Sequence, residues 1–273
     1  MCDEGRDIYQ ATNLFRTEHV GERGSKKTVK RPNRVTQTLA WQDGKRHYLN
    51  TNDTVKSTGT TFGGIKDKNA ALVLTGQYTN EELEGLLSFW KKSFSKVRLF
   101  HWKNSGDSWN DFDGLLIRGD KNPNSKGLMD LVEKHGGFED WSKLEGELKA
   151  GSLDFLMVAG PENQWVYPEL SKTLDLFSGA KEWIYLSACI PGEVTAFEKS
   201  QAMVWPMKTF AEKSGTFTNF EGKVQNFDAI GNWSKEAMDM REMVQLMSGD
   251  ERSLPSKAWN RVKNEFIHKR GTL

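Results

Sequence analysis

Ala70–Gly76 (AALVLTG) is a continuous apolar run closed by a glycine. With no polar residue alternating through it, the run predicts a strand buried on both faces, as a parallel sheet requires. Thr79-Asn80-Glu81-Glu82 follows almost at once. Thr79 as N-cap with Glu82 three positions on is a capping box, in which hydroxyl and carboxylate each satisfy an otherwise free N–H. Leu83, Leu86, Leu87, Trp90 and Phe94 then fall at helical spacing, and Lys91 and Lys92 place positive charge at the far end of the helix, where its dipole favours cations. Val97–Trp102 (VRLFHW) is the next apolar run. Strand, capped helix and strand make one βαβ unit.

Working downstream, the unit recurs. Leu115–Gly119 (LLIRG) reads as a strand, and Ser125 as the cap of a helix carrying Leu128, Leu131 and Val132, with Gly136-Gly137 as its stop. Residues 138–151 read as a polar insertion anchored by Phe138, Trp141 and Leu144. Leu153–Gly160 is a strand, Pro168–Phe177 a helix, Glu182–Cys189 a strand and Met203–Trp205 a short one. Strands alternating with helices predict an α/β fold with a doubly wound, mostly parallel sheet and right-handed crossovers over residues 67–231. Residues 1–66 read as an irregular arm, in which Thr36–Ala40 and His47–Leu49 can pair around Asp43-Gly44 as a hairpin. Ser57–Gly64 (STGTTFGG) is the linker that ends the arm. Residues 232–273 read as a helical tail. Ser234 caps a segment with Met240, Met243, Val244 and Met247, and Pro255 opens a helix with Trp259, Val262 and Phe266 on one face.

Composition removes whole classes of function. Lys and Arg number 38 against 37 Asp and Glu, so no overall charge draws the chain to nucleic acid or an anionic membrane. No apolar run approaches the roughly 18 residues of a membrane span. The opening Met1-Cys2-Asp3-Glu4-Gly5-Arg6 lacks a leader's basic and apolar regions, which predicts no signal peptide and idle sequons at Asn52 and Asn232. The only cysteines are Cys2 and Cys189. That excludes a disulfide framework, suits a reducing cytoplasm, and falls short of the four thiolates of a self-contained iron–sulfur cubane. The five histidines are scattered, with no Cys-x-x-Cys beside them, so a sequence-local zinc site is not expected.

Catalytic signatures are missing as well. The turn after the first strand, Thr75-Gly76-Gln77-Tyr78, has one glycine where a dinucleotide fingerprint needs three, which disfavours a free-standing nucleotide-binding dehydrogenase. Gly215 to Lys223 has six residues between its glycines and Val224 after the lysine, which is not a P-loop. There is no Gly-x-Ser-x-Gly elbow, and Cys189 reads as a packed thiol. Two polar turns remain. Arg118–Asn124 is either a ligand loop at a strand's end or ordinary turn and cap chemistry. Phe210–Gln225 is too polar for a core strand and too aromatic for a plain linker.

These turns carry a family likeness. Met203-Val204-Trp205-Pro206, followed by Thr209-Phe210-Ala211-Glu212-Lys213-Ser214-Gly215-Thr216-Phe217-Thr218-Asn219-Phe220-Glu221-Gly222-Lys223-Val224-Gln225, resembles a stretch of the molybdopterin oxidoreductase superfamily. It departs at Trp205 and at Lys223, where the family usually has Arg. Arg118–Gly127 resembles the family's Asp-x-Asn-Pro-Asn turn, Thr79–Glu82 its helix start, and Asp228–Met247 its following helix. Met1–Arg6 resembles the end of its iron–sulfur domain. Within the superfamily the likeness is to the C-terminal part of the large iron–sulfur subunits of NADH:quinone oxidoreductase, complex I, in truncated or split form.

The resemblance implies a molybdopterin-oxidoreductase-like Rossmann-type domain and a non-catalytic accessory subunit of a complex I peripheral arm. Such a subunit binds no cofactor alone and packs beside a ferredoxin-type, cluster-carrying chain. It would be cytoplasmic, held peripherally at the inner membrane by other subunits, with no membrane insertion and no nucleic acid. Cys2 is then a remnant, or the fourth ligand of a 4Fe-4S cluster shared with another chain. Docking would fall to the basic arm at 21–34 and to Trp102, Trp109 and Trp141, unless these tryptophans fill the core. The alternative is a reduced molybdopterin-dependent enzyme, or its split subunit, with a pterin dinucleotide near Asp120, Asn122, Asn124 and Asn219.

Overall fold

The structure is a computed structural model that describes residues 17–20, 27–30, 33–51, 53–55, 67–104, 106–115, 117–161, 167, 169–190 and 195–248. Cys2, the linker at 57–64 and the expected helix from Pro255 lie outside the described residues. In chain order the strands begin with β1 (Thr17–Val20), β2 (Lys27–Lys30), β3 (Asn33–Arg34), β4 (Thr38–Gln42), β5 (Lys45–Leu49) and β6 (Ala70–Leu74). Helix α1 (Asn80–Ser93) leads to β7 (Leu99–His101). Then come α2 (Ser125–Glu133), α3 (Trp141–Ala150), β8 (Phe155–Ala159), α4 (Leu170–Phe177), β9 (Glu182–Ser187) and β10 (Cys189–Ile190). The chain continues through β11 (Gln201–Pro206), β12 (Gly215–Thr218), β13 (Val224–Phe227) and α5 (Met240–Ser248).

Seven strands form the main sheet in the order β5-β4-β11-β9-β8-β6-β7. β7, β6, β8, β9 and β11 run parallel, while β4 and β5 are antiparallel at one edge. The α/β, mostly parallel architecture expected from the sequence is therefore present. Every residue of β6 and β8 is buried, the signature of strands covered on both faces. One face packs Leu72, Leu74, Phe155 and Trp205 under α1 and α5; the other packs Val73, Phe100, Trp183 and Val204 under α3 and α4.

Local chemistry accounts for many of the boundaries. The capping box at α1 forms in both directions between Thr79 and Glu82. Asp43 and Gly44 both adopt positive φ, 52° and 71°, the two left-handed residues a tight hairpin turn needs. The hairpin expected around them forms, and it extends the main sheet by pairing β4 with β11. Met240 and Met243 of α5 are fully buried against the core cluster that includes α1, so the Met stripe is packing.

Four expectations are corrected. Residues 115–119 are not a strand: Leu115 and Ile117 are exposed, and only Phe112 and Arg118 bridge. An apolar run makes a strand only where a neighbour supplies hydrogen bonds, and here the backbone bonds locally instead, Asp113 N–H to Ile117 O and Gly119 N–H to Asp111 O. Residues 138–151 are not a polar insertion. Asp140 caps α3 through the Ser142 N–H, and Leu144 and Leu148 are buried at helical spacing. Ser234 accepts the Ala237 N–H rather than opening the helix, and α5 starts at Met240. Trp102 is buried and meets Tyr167 and Phe177 edge-on, so the reading of it as docking surface gives way to core; Trp109 and Trp141 are half-buried.

Arg98, entering β7, ties this frame together. Its guanidinium reaches Glu147 of α3 at 2.8 and 2.9 Å, Glu139 at 3.1 Å and Asn69 at 2.6 Å. The hydrogen bond from Arg98 holds the Glu147 carboxyl below its ordinary pKa of 4.5. A carboxyl depressed on folding adds stability above its unfolded pKa and loses it as pH falls through the folded one. Glu147→Gln is therefore expected to lower the melting temperature slightly at pH 6, with the difference shrinking on titration from about pH 4.5 downward. Part of Glu147 is exposed, so the effect stays under about 1 kcal/mol. A constant difference across that range would contradict the assignment.

Candidate functional site

Along the chain the parallel strands β6, β7, β8, β9 and β11 take spatial positions 2-1-3-4-5. In such a sheet the strand order reverses between the first and third strands, and ligands bind outside the C-terminal ends there. Here that point lies between β6 and β8. Thr75, just past β6, donates its hydroxyl to Ala159 O across it at 3.0 Å. Tyr78 Oη lies 2.7 Å from Gly160 O and 2.9 Å from Leu186 O, and its ring is fully buried. Tyr78 thus spans the ends of β8 and β9.

Asp120 and Asn122 sit beside this point in the loop before α2. Asp120 Oδ1 accepts the Asn122 backbone N–H at 3.0 Å and its side-chain amide at 2.9 Å. The same amide reaches Asn104 Oδ1 at 3.1 Å, and Asn122 Oδ1 accepts from Tyr167 Oη at 3.0 Å. Burial, reinforced by the Asp120 charge, pushes the Tyr167 hydroxyl well above its ordinary range. His101, at the end of β7, is driven down to about 4 by burial and by Lys103. It lies between Phe138, stacked at 5.1 Å, and Trp109, edge-on at 5.3 Å. At neutral pH both rings are uncharged, which suits them to hold structure rather than to exchange protons.

Asn124 is fully buried and spends its whole amide internally. Nδ2 donates to Tyr78 O at 2.8 Å and to Asn80 Oδ1 at 3.0 Å, and Oδ1 accepts Thr218 N–H at 2.7 Å. Asn80 in turn donates to the Thr216 and Thr218 hydroxyls, each at 3.0 Å. Glu81 accepts the Thr216 N–H at 2.9 Å and its hydroxyl at 2.7 Å. Burial pushes the Glu81 carboxyl up, and hydrogen bonds, those from Thr216 foremost, more than offset it, leaving it below its ordinary value. Asn219 lies at the β12–β13 turn, where its Oδ1 accepts the N–H groups of Glu221 and Lys223. That is Asx-turn chemistry.

Beside this network lie two buried ion pairs. Lys213 Nζ meets Glu82 at 2.9 Å with both side chains almost wholly buried, and sits 4.9 Å from the Tyr78 ring. Arg34 pairs with Glu212 in an equally buried setting. Glu212 also accepts the N–H groups of Thr209, Trp233 and Ser234. Thr209 and Glu212 form a second capping box, a Thr-x-x-Glu pattern visible in the sequence. The pairings of Glu212 with Arg34 and of Lys213 with Glu82, across 178 and 131 positions, carry no such local signal.

The four residues named for a pterin dinucleotide are thus neighbours at the carboxyl ends of the strands, and most of their polar atoms are already bonded within the protein. Recognition needs free donors and acceptors facing a crevice. Asn124 is spent on Tyr78 O, Asn80 and Thr218 N–H, Asn219 Oδ1 on its own turn, and Asp120 Oδ1 and Asn122 on each other, on Asn104 and on Tyr167. No set of three or more His, Cys, Asp or Glu side chains gathers into a metal site among the described residues, and Cys189 is a buried thiol outside any disulfide. At the opposite, amino ends of the parallel strands, Trp41, Glu182, Trp183 and Met203 line a depression of about 230 Å³. No helix among the described residues is long and apolar enough to cross a membrane. No family model matches the chain, and no curated protein matches it.

Proposed function

We propose that the chain is a non-catalytic structural subunit of the peripheral arm of a complex I-type NADH:quinone oxidoreductase, packed beside the cluster-carrying chain and held at the membrane by its partners. NADH oxidation, electron transfer through clusters and quinone reduction belong to those partners in this reading. One observation carries it. The segments through which the sequence resembles the family, 79–82, 118–127 and 203–225, are bonded to one another: Asn80 and Thr218 to Asn124, Glu81 to Thr216, Glu82 to Lys213. Their polar groups build a rigid edge and leave little with which to handle a substrate. A body of this kind contributes to electron flow by fixing where its neighbours sit.

The reading is tested on affinity-tagged chain from detergent-solubilised membranes, resolved on a native gel stained for NADH dehydrogenase activity. Co-migration with the active band, with flavin and iron–sulfur chains in fixed ratio to the tagged chain, is the expected result. Isolation of the chain alone, or with stoichiometric molybdenum or tungsten and its own redox turnover, would overturn it.

A further inference from the structure

Nine large apolar side chains are exposed among the described residues: Tyr48, Phe112, Leu115, Ile117, Met129, Phe220, Val224, Ile230 and Trp233. Scattered singly, such residues need no explanation. Five of them are not scattered. Phe112, Leu115 and Ile117 belong to the excursion that follows β7, and Phe220 and Val224 to the β12–β13 hairpin. Arg118 joins the two groups: its guanidinium carbon lies 4.3 Å from the centre of the Phe112 ring and 3.7 Å from that of Phe220.

The display is built, not slack. Asp113 Oδ1 accepts the N–H groups of Leu115 at 2.8 Å and Ile117 at 2.9 Å, and Asp113 N–H donates to Ile117 O at 3.0 Å. Gly119 N–H returns to Asp111 O at 2.7 Å. Across from it, the Asn219 side chain fixes the turn that carries Phe220. Leu115 is 79 % and Ile117 65 % exposed, so these local bonds hold apolar side chains toward water, which folding alone does not favour.

Arg118 gives the surface its chemistry. Held between two phenyl rings, its guanidinium is oriented and weakly hydrated, and it makes no ion pair among the described residues. An oriented, unpaired arginine framed by apolar side chains is the pattern of an interface anchor, and a carboxylate matches its edge in two parallel hydrogen bonds. Asp107, Asp111 and Asp113 occupy the same excursion and repel a run of acids. We propose that this surface docks a partner protein through a segment bearing a single carboxylate flanked by aliphatic or aromatic side chains. The carboxylate meets Arg118 and the apolar flanks cover Leu115, Ile117 and Val224. The proposal does not depend on the complex I reading, because it follows from this surface alone.

A random 12-residue phage-displayed peptide library panned on the full chain tests it, followed by fluorescence anisotropy on the enriched peptides made synthetically. Enriched peptides are expected to carry one Asp or Glu between apolar residues. Changing that residue to its amide should weaken binding about tenfold, as should Arg118→Gln in the protein. Arg118→Lys, which keeps charge but loses the planar fork, should recover only part. Leu115→Asp should abolish binding, and since Leu115 is exposed it keeps the wild-type melting temperature and carries the test if Arg118→Gln perturbs folding. Lack of enrichment, enriched peptides without a carboxylate, or full binding to Arg118→Gln and Leu115→Asp would each overturn the proposal. So would a concentration-dependent dimer in sedimentation that Leu115→Asp dissolves, which would show a second copy of the chain as the occupant.

Discussion

Glu212→Ala is expected to destabilise the protein by about 3–5 kcal/mol, the range for removing one partner of a buried ion pair. At a few degrees per kcal/mol for a chain of this size, the melting temperature should fall by roughly 10 °C. The loss is large because Glu212 does three things at once. It neutralises Arg34, whose Nε and Nη1 already lack partners and which would be left as a buried bare cation. It closes the Thr209 capping box, and it accepts the N–H groups of Trp233 and Ser234. Arg34 belongs to β3, paired with β10, and Ser234 to the approach to α5, so one carboxylate joins three distant segments. Glu212→Gln should cost less, since the amide oxygen still accepts. Arg34→Met combined with Glu212→Met should recover much of the loss, because no charge is then stranded. Thermal unfolding of the four proteins measures this. Equal melting temperatures for Glu212→Ala and wild type would mean that the buried pair holds nothing together.

Gly127→Ala is expected to destabilise by about 2–4 kcal/mol, although the residue sits inside α2, where helix propensity alone favours Ala over Gly by about 1 kcal/mol. A Cβ there would stand 2.2 Å from Asn80 Oδ1 and 2.3 Å from Asn124 Oδ1. Neither oxygen can move aside freely: Asn80 Oδ1 accepts from Asn124, and Asn124 Oδ1 accepts the Thr218 N–H. The methyl group must break that buried triangle or shift the helix, and either outweighs the propensity gain. Gly146→Ala in α3 is the internal control. Nothing lies within 4 Å of the Cβ it would add, so propensity acts unopposed and the variant should gain about 0.5–1 kcal/mol. Urea unfolding of both variants decides the matter. Equal gains would mean that the Asn80–Asn124–Thr218 cluster has room the structure does not show.

The strands most legible in the sequence were those whose burial is complete. Ala70–Leu74 and Phe155–Ala159 advertise themselves because both faces are covered, whatever covers them. The site was half legible. Asp120, Asn122 and Asn124 stood out as polar residues at a strand's end and do come together. Tyr78, Tyr167 and Arg34 carry no local signal because each is a single residue whose partner lies 82, 45 or 178 positions away: Gly160, Asn122 and Glu212.

By itself the sequence determined what local bonding can settle: the capping box at Thr79 and Glu82, the Asp43-Gly44 turn, the helical stripes of α1 and α5, and the α/β class that follows from their alternation. Only the tertiary structure decided the strand order, the place of β4 and β5 at the sheet's edge, the exposure of Leu115 and Ile117, and the commitment of Asn124 and Glu212 to internal bonds. The division is physical. Caps, turns and periodicity depend on residues within about four positions of one another, whereas a strand's neighbour or a buried charge's partner is chosen by competition among segments far apart in the chain.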